Sequence, residues 1–207
     1  MKVIVNCAMT ADGKIASKER KQLPISSEDD MRRVHILRSR VDAILVGVGT
    51  VVADDPSLLV KEKHVPGGKS PLRVILDPGL RIPEDAKILQ GDVPSVIYSC
   101  VEGTRKGADV VVLQRPQLSL RLVLEDLSKR GVELLMVEGG GETLWGFFNE
   151  CLVDEYNVYV GSMVIGGKNA PTPVDGAGRR DADAIELELL NAERLGEGML
   201  LSYKVKK

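Results

Sequence analysis

Val137-Glu138-Gly139-Gly140-Gly141-Glu142-Thr143-Leu144-Trp145 carries the most fold information in this chain. An apolar run of strand length, Glu133–Glu138, enters a cluster of glycines, and a helical pattern follows at about 142–150. Glycines let a phosphate approach the backbone, and a helix N-terminus offers free N–H groups and partial positive charge. The turn could therefore hold a phosphate. It is not the G-x-G-x-x-G fingerprint, because Thr143 and Leu144 follow the run. A tight strand-to-helix turn explains the same residues without a ligand.

Upstream of this stretch, Ser119–Arg130 reads as an amphipathic helix stopped by Gly131. Downstream, Glu155–Val160 reads as a strand. The same alternation extends to the N-terminus. Val3–Met9 is a buried strand, followed by a helix at about 27–40 capped by Ser26 or Ser27, with Glu28, Asp29 and Asp30 in its first turn. Asp42–Gly47 is a strand and Gly49–Ala53 a short helix ended by Asp54-Asp55-Pro56. A loop at 61–71 contains Pro66-Gly67-Gly68. Leu72–Asp77, Ser95–Ser99 and Asp109–Leu113 add strands. Gly166–Arg180 is a loop rich in Gly and Pro, and 185–194 and 198–205 read as a final strand pair.

Strands alternating with helices predict an α/β fold with a mostly parallel central sheet and helices on both faces. The C-terminal pair adds antiparallel strands. No repeat or linker interrupts the chain, so residues 1–207 read as one domain. Ligands of such sheets bind beyond the carboxyl ends of strands. Three such ends carry glycine or acid: Gly47-Val48-Gly49-Thr50, Asp77-Pro78-Gly79 and Glu138-Gly139-Gly140-Gly141. All three could line one crevice.

Composition narrows the chemistry. Of 207 residues, 43% are hydrophobic and 28% charged, enough for a core and a polar surface. One Trp, four Tyr and two Phe make the core aliphatic and disfavour a base-stacking surface. The net charge of −2 gives no bulk attraction for nucleic acid. The longest charge-free run, Tyr156–Gly167, is too short to span a bilayer. No signal peptide opens the chain, so a cytoplasmic location is expected. Cys7, Cys100 and Cys151 lie far apart, and only His35 and His64 accompany them. Neither a disulfide scaffold, a zinc site nor a Ser/His/Asp triad is well supplied. An enzyme with this inventory draws its chemistry from a bound cofactor.

Individual residues admit two readings each. Glu138, closing an apolar strand, is either a charge facing a ligand or a buried acid with a raised pKa. Of Asp54 and Asp55, local turn chemistry explains Asp55 better. Thr50 could cap its helix or bond a ribose or phosphate. Arg32, Arg33, Arg38 and Arg40 read mostly as a solvated helix face, His35 as a packed or surface histidine, and Trp145 and Phe148 as core.

Taken together, several motifs resemble one family. Asn6-Cys7-Ala8-Met9-Thr10-Ala11-Asp12-Gly13-Lys14 resembles the S-x-x-M-T-x-D-G-K opening of the reductases of riboflavin biosynthesis. The resemblance continues through Val34–Arg38, Val46–Pro56, Arg73–Asp77, Glu138-Gly139-Gly140 and Gly166–Pro171. It implies a dihydrofolate-reductase-like fold, a homodimer, and NADPH as cofactor with NADH as the alternative. It also implies reduction of the ribose of a ribosylaminopyrimidine 5′-phosphate to ribitol. The zinc deaminase that precedes this domain in bacteria needs H-x-E and P-C-x-x-C, which are absent here. The chain therefore resembles the stand-alone type, whose substrate is 2,5-diamino-6-ribosylaminopyrimidinone 5′-phosphate. The deaminated pyrimidinedione, a dihydrofolate-reductase-like activity and a non-catalytic nucleotide-binding protein are the alternatives.

Site residues carry over by position. Thr50, Asp54, Pro78, Gly79, Leu80, Arg81, Gly139, Gly140, Gly141, Glu142, Thr143 and Leu144 match cofactor positions. Where the family often has Ser after Asp, this chain has Pro78, which leaves Arg81 to meet a 2′-phosphate. Lys14, Arg38, Leu58, Lys61 and Glu138 match substrate positions, with Lys61 standing where bacterial members tend to have Arg. Asp54 is the candidate for proton transfer. No metal, nucleic acid or membrane is expected as a partner.

Overall fold

Runs of Val, Ile and Leu fix the strands, because β-branched and aliphatic side chains suit a sheet covered on its faces. The computed structural model describes residues 1–113 and 118–206. In chain order the elements are β1 (Lys2–Thr10), α1 (Glu28–Arg38), β2 (Ala43–Gly47), α2 (Val48–Asp54), β3 (Leu72–Leu76), β4 (Ser95–Ser99) and β5 (Asp109–Val112). They continue with α3 (Leu120–Lys129), β6 (Leu134–Gly139), α4 (Gly141–Asn149), β7 (Glu155–Gly161), β8 (Leu187–Leu195) and β9 (Gly198–Val205). Short 3₁₀ turns at Lys87–Leu89 and Asp181–Asp183 were not expected. The strands form one nine-stranded sheet in the order β5-β4-β3-β2-β6-β1-β7-β9-β8.

The chain divides into two compact units, Met1 with His35–Met136, and residues 2–34 with 137 onward. In the first unit β2, β3, β4 and β5 pair in parallel. Ile44, Val46, Ile75, Ile97 and Met136 centre its aliphatic core. Arg73 is wholly buried on β3. Its guanidinium donates to the carbonyls of Gln90, at 3.1 Å, and Val93, so a buried charge is spent on holding the loop that leads into β4. Helix α3 starts at Ser119, whose hydroxyl accepts the Leu122 N–H at 3.4 Å.

In the second unit β1 pairs with β7 in parallel, and β9 is antiparallel to both β7 and β8. The C-terminal antiparallel pair is as the sequence suggests. Ser27 caps α1, accepting the Asp30 N–H at 3.2 Å, whereas Ser26 bonds the Asp30 side chain. Arg33 departs from the expected solvated face. It donates to the buried Asp30 carboxylate and to Asn6 Oδ1, both at 2.8 Å, because the acid left buried in the first turn needs a partner. Arg32 and Arg40 do face solvent. Phe148 packs edge-on against Tyr156, and Trp145 is half-buried.

Candidate active site

In the first unit, β2 runs directly into α2 at Gly47, which occupies the N-cap without a side-chain bond. Thr50 therefore does not cap the helix. The first turn of α2 holds no acid, and a side chain on Gly49 would meet open space. The N–H groups of this turn have neither a side-chain cap nor an acid of their own turn.

The two aspartates at the other end of α2 separate cleanly. Asp55 adopts a left-handed conformation (φ 42°) as C-cap. Its carboxylate accepts the Lys87 N–H at 2.8 Å and pairs with the Lys87 ammonium at 3.1 Å, which pulls its pKa down. Asp54 is half-buried, and among the described residues its carboxylate makes no hydrogen bond or ion pair. Burial pushes its pKa up. The helix end and the contact with Lys87 are thus the work of Asp55, and Asp54 takes no part in either.

Leu58 and Leu80 are buried in the first unit's core, yet both have left-handed backbones, at φ 55° and 51°. If either meets a ligand, it does so through its main chain. Leu80 lies in the Pro78–Arg81 turn, which is tightly held. Asp77 is wholly buried and accepts the Ile82 N–H at 2.8 Å, the Pro78 carbonyl accepts from Cys100, and the Leu80 carbonyl accepts from Arg105. The other Asp77 oxygen, Oδ1, has no hydrogen bond; the Arg81 guanidinium stands 4.0 Å away and is otherwise exposed. Pro78, Gly79 and Arg81 face solvent.

His35, in the last turn of α1, is wholly buried and stacks on His64 with ring centres 4.6 Å apart. Its Nδ1 accepts the Lys61 N–H at 3.2 Å. Burial, reinforced by Arg38 and other nearby cationic groups, lowers its pKa to about 4, so it is a neutral acceptor at ordinary pH. His35 thus packs rather than catalyses, and it pins the main chain of Lys61. The Lys61 side chain is exposed, with no hydrogen bond or ion pair from its ammonium among the described residues. Arg38 is half-buried.

In the second unit, β6 ends at Gly139, and Gly140 turns the chain with φ 77° as an N-cap that offers no side-chain bond. Only glycine takes this conformation without strain. Glu138 is half-buried at the end of the strand. Gly141 is buried, and an added Cβ would lie 2.5 Å from an Asp175 oxygen and 2.7 Å from the Thr172 carbonyl. Leu144 points into the core, Thr143 is half-buried, and Glu142 is exposed. Glu142 and Asp175 offset part of the positive end of α4, whereas the first turn of α2 carries no acid. Lys14 is half-buried, its ammonium 3.4 Å from the Ala170 carbonyl.

Within each unit the features suit a phosphate-bearing ligand. In the first, the N-terminus of α2 follows a strand end without a side-chain cap, and the exposed Arg81 stands 4.0 Å from a buried Asp77 oxygen that has no hydrogen bond. In the second, α4 likewise follows a strand end and starts at a glycine without a side-chain cap. Among the described residues no group of His, Cys, Asp or Glu could hold a metal ion. A cavity of about 370 Å³ in the second unit, lined by Phe148, Cys151, Arg179 and Lys206 among others, includes none of the expected site residues.

The model of the RibD C-terminal domain matches residues 1–201. The chain belongs to the RibD C-terminal domain family. Among its relatives in that family is the 2,5-diamino-6-ribosylamino-4(3H)-pyrimidinone 5′-phosphate reductase of Methanothermobacter thermautotrophicus, 43% identical over 99% of this chain and 98% of the relative. The protein of the same name from Archaeoglobus fulgidus is 40% identical over 98% of this chain and 97% of its own. Among solved structures, Acinetobacter baumannii RibD superposes with a TM-score of 0.87 at 25% identity; the match covers 99% of this chain and 58% of that one. RibD reductase domains have the dihydrofolate-reductase-like fold, and so does this member of the family.

Asp77 and Asp12 carry more than their motifs suggested. The sequence marks Asp77 only as an acid at a strand end, and the Asp12-Gly13 pair by itself signals no more than a turn. No local signal reveals the hydrogen bonds either makes.

Proposed function

We propose that this chain reduces the ribosylamino group of 2,5-diamino-6-ribosylamino-4(3H)-pyrimidinone 5′-phosphate to a ribitylamino group in riboflavin biosynthesis, with NADPH as the reductant. The observation that carries the reading is the full-length match, at 43% and 40% identity, to two archaeal reductases of that name. The family match over residues 1–201 supports one reductase domain.

When bound, the reduced nicotinamide supplies a hydride. The residues of the chain bind, orient and handle protons. In the first unit, Thr50, Asp54 and Pro78–Arg81 hold the cofactor, with Arg81 toward a 2′-phosphate. In the second, Gly139–Leu144 do so through main-chain N–H groups. Lys14, Arg38 and Lys61 meet the substrate phosphate, whose two charges need placed cations in a chain of net charge −2. Leu58, through its main chain, and Glu138 contact the pyrimidine or ribose. The ribosylamine opens as the bond between its anomeric carbon and ring oxygen breaks, and the amine proton passes to that oxygen. The anomeric carbon, now doubly bonded to nitrogen, takes the hydride, and nitrogen takes a proton. The Asp54 carboxyl, inclined by burial to hold a proton, is assigned that transfer.

The outer strand β8 leaves Leu187, Leu189 and Leu190 exposed, an apolar edge that suits pairing with a second copy. A homodimer in the cytoplasm is the corresponding expectation. The whole reading is tested by a steady-state assay with the diamino and the deaminated pyrimidine, dihydrofolate, NADPH and NADH. Turnover of the diamino substrate with NADPH at the highest kcat/KM supports it. Preference for another substrate, or cofactor binding without turnover, overturns it.

A further inference from the structure

The turn after β1 is tied by side chains to a segment far away in sequence. Thr10 is wholly buried, and its hydroxyl donates to Asp12 Oδ1 at 2.6 Å while accepting the Lys14 N–H at 2.9 Å. Gly13 closes the turn at φ 77°. Asp12 reaches further. Its Oδ1 accepts the Ile165 N–H at 3.2 Å and its Oδ2 the Gly166 N–H at 2.7 Å. One exposed carboxylate thus gathers a hydroxyl and two main-chain donors. The main chains join nearby as well, Ala11 N–H to the Met163 carbonyl at 2.8 Å and Ile15 N–H to the Pro171 carbonyl at 3.0 Å.

The far end of the same segment is seated on α4. Asp175 Oδ1 accepts both the N–H and the hydroxyl of Thr172, and the Asp175 N–H donates to the Gly141 carbonyl at 3.2 Å. Gly176 lies so close to the Trp145 ring that an added Cβ would fall 2.1 Å from it. Residues 163–176 therefore run as a strap from the Lys14 turn to the first turns of α4.

We propose that Asp12 is a positioning residue that acts through this strap on both Lys14 and the glycine entry to α4. The inference rests on the reading that Lys14 meets the substrate and Gly139–Leu144 the cofactor. Asp12 itself touches neither ligand. It sets the Lys14 turn through Thr10 and the α4 entry through Gly166, so its loss disturbs two binding functions at once and leaves the reacting groups in place.

Trp145 is the chain's single tryptophan, which gives the strap its own spectroscopic signal. The test compares Asp12→Ala, Asp12→Asn and Lys14→Met in the full chain. Trp145 emission and acrylamide quenching are read without ligands, NADPH affinity by calorimetry, and KM and kcat by steady-state assay. Asp12→Ala is expected to red-shift Trp145, raise its quenching, and raise both the NADPH Kd and the substrate KM about tenfold with kcat less affected. Asp12→Asn keeps one acceptor and should give the same signature at smaller amplitude, so it decides the matter if the alanine variant does not fold. Lys14→Met should raise the substrate KM alone. Unchanged Trp145 emission and NADPH affinity in a folded Asp12 variant overturn the inference, whatever happens to KM. An unchanged KM in Lys14→Met removes Lys14 from the substrate site, and the strap then stands or falls on Trp145 and NADPH affinity.

Discussion

Replacing Asp77 by alanine removes the group that fixes the turn after β3. The carboxylate is wholly buried, and its Oδ2 takes the Ile82 N–H at 2.8 Å. Ile82 is 2% exposed, so water cannot replace that acceptor. A buried N–H left without a partner costs about 1–3 kcal/mol. Removing a carboxylate whose Oδ1 has no hydrogen bond recovers part of this, leaving a net loss of about 1–2 kcal/mol. In a protein of this size each kcal/mol moves Tm by about 2–4 °C, so Asp77→Ala should melt about 2–8 °C lower. Asp77→Asn keeps an acceptor for Ile82 without the charge and should stay within about 2 °C of the parent. The turn it anchors contains Gly79 and Arg81, so the NADPH KM should rise more in the alanine variant than in the asparagine one. Thermal unfolding by circular dichroism and cofactor-dependent kinetics read both effects. An alanine variant as stable as the parent, or an asparagine variant as damaged as the alanine, would refute the reasoning.

Three further perturbations address the chemistry. Lys61→Ala should raise KM for the phosphorylated substrate about tenfold or more, as expected on losing a charge-assisted contact, with little change for a substrate lacking phosphate. An unaltered KM removes Lys61 from the phosphate site. Asp54→Asn should lower turnover and raise thermal stability near neutral pH. Burial raises the folded-state pKa of Asp54, so ionisation costs stability as pH climbs through and above the ordinary carboxylate range, and the gap to the asparagine variant should close in acid. Full activity in Asp54→Asn ends the proton-transfer assignment. Arg81→Ala should weaken NADPH more than NADH; an equal effect on both would detach Arg81 from the 2′-phosphate.

The aliphatic runs and their glycine or proline stops made the sheet legible, and α2 and α4 could be placed by the glycines that precede them. What stayed hidden depends on partners distant in sequence. Arg33 reads as a surface residue on helical spacing, yet it answers a carboxylate that packing has buried. Arg73 sits in an apolar strand because carbonyls at Gln90 and Val93 await it. Asp54 and Asp55 are adjacent and chemically alike; the sequence assigns local turn chemistry to Asp55 rather than Asp54, and Asp55 is indeed the left-handed C-cap of α2. The role of Asp12 was not readable, since Asp-Gly predicts a turn whether or not its carboxylate reaches a loop some 150 residues on. The short 3₁₀ turn at Lys87–Leu89 leaves no periodic signal at that length.

Leu58 and Leu80 carry a consequence for how the chain can change. Their backbones ask for glycine, and the cavities they fill ask for a large aliphatic side chain. Glycine would relieve backbone strain of about 1–2 kcal/mol but leave a hole costing about 2–5 kcal/mol, while β-branched replacements would deepen the strain. No residue satisfies both demands, so few single substitutions are neutral at either position. In a saturation library these two leucines should rank among the least replaceable residues of the loops, even though neither offers a polar side chain to a ligand.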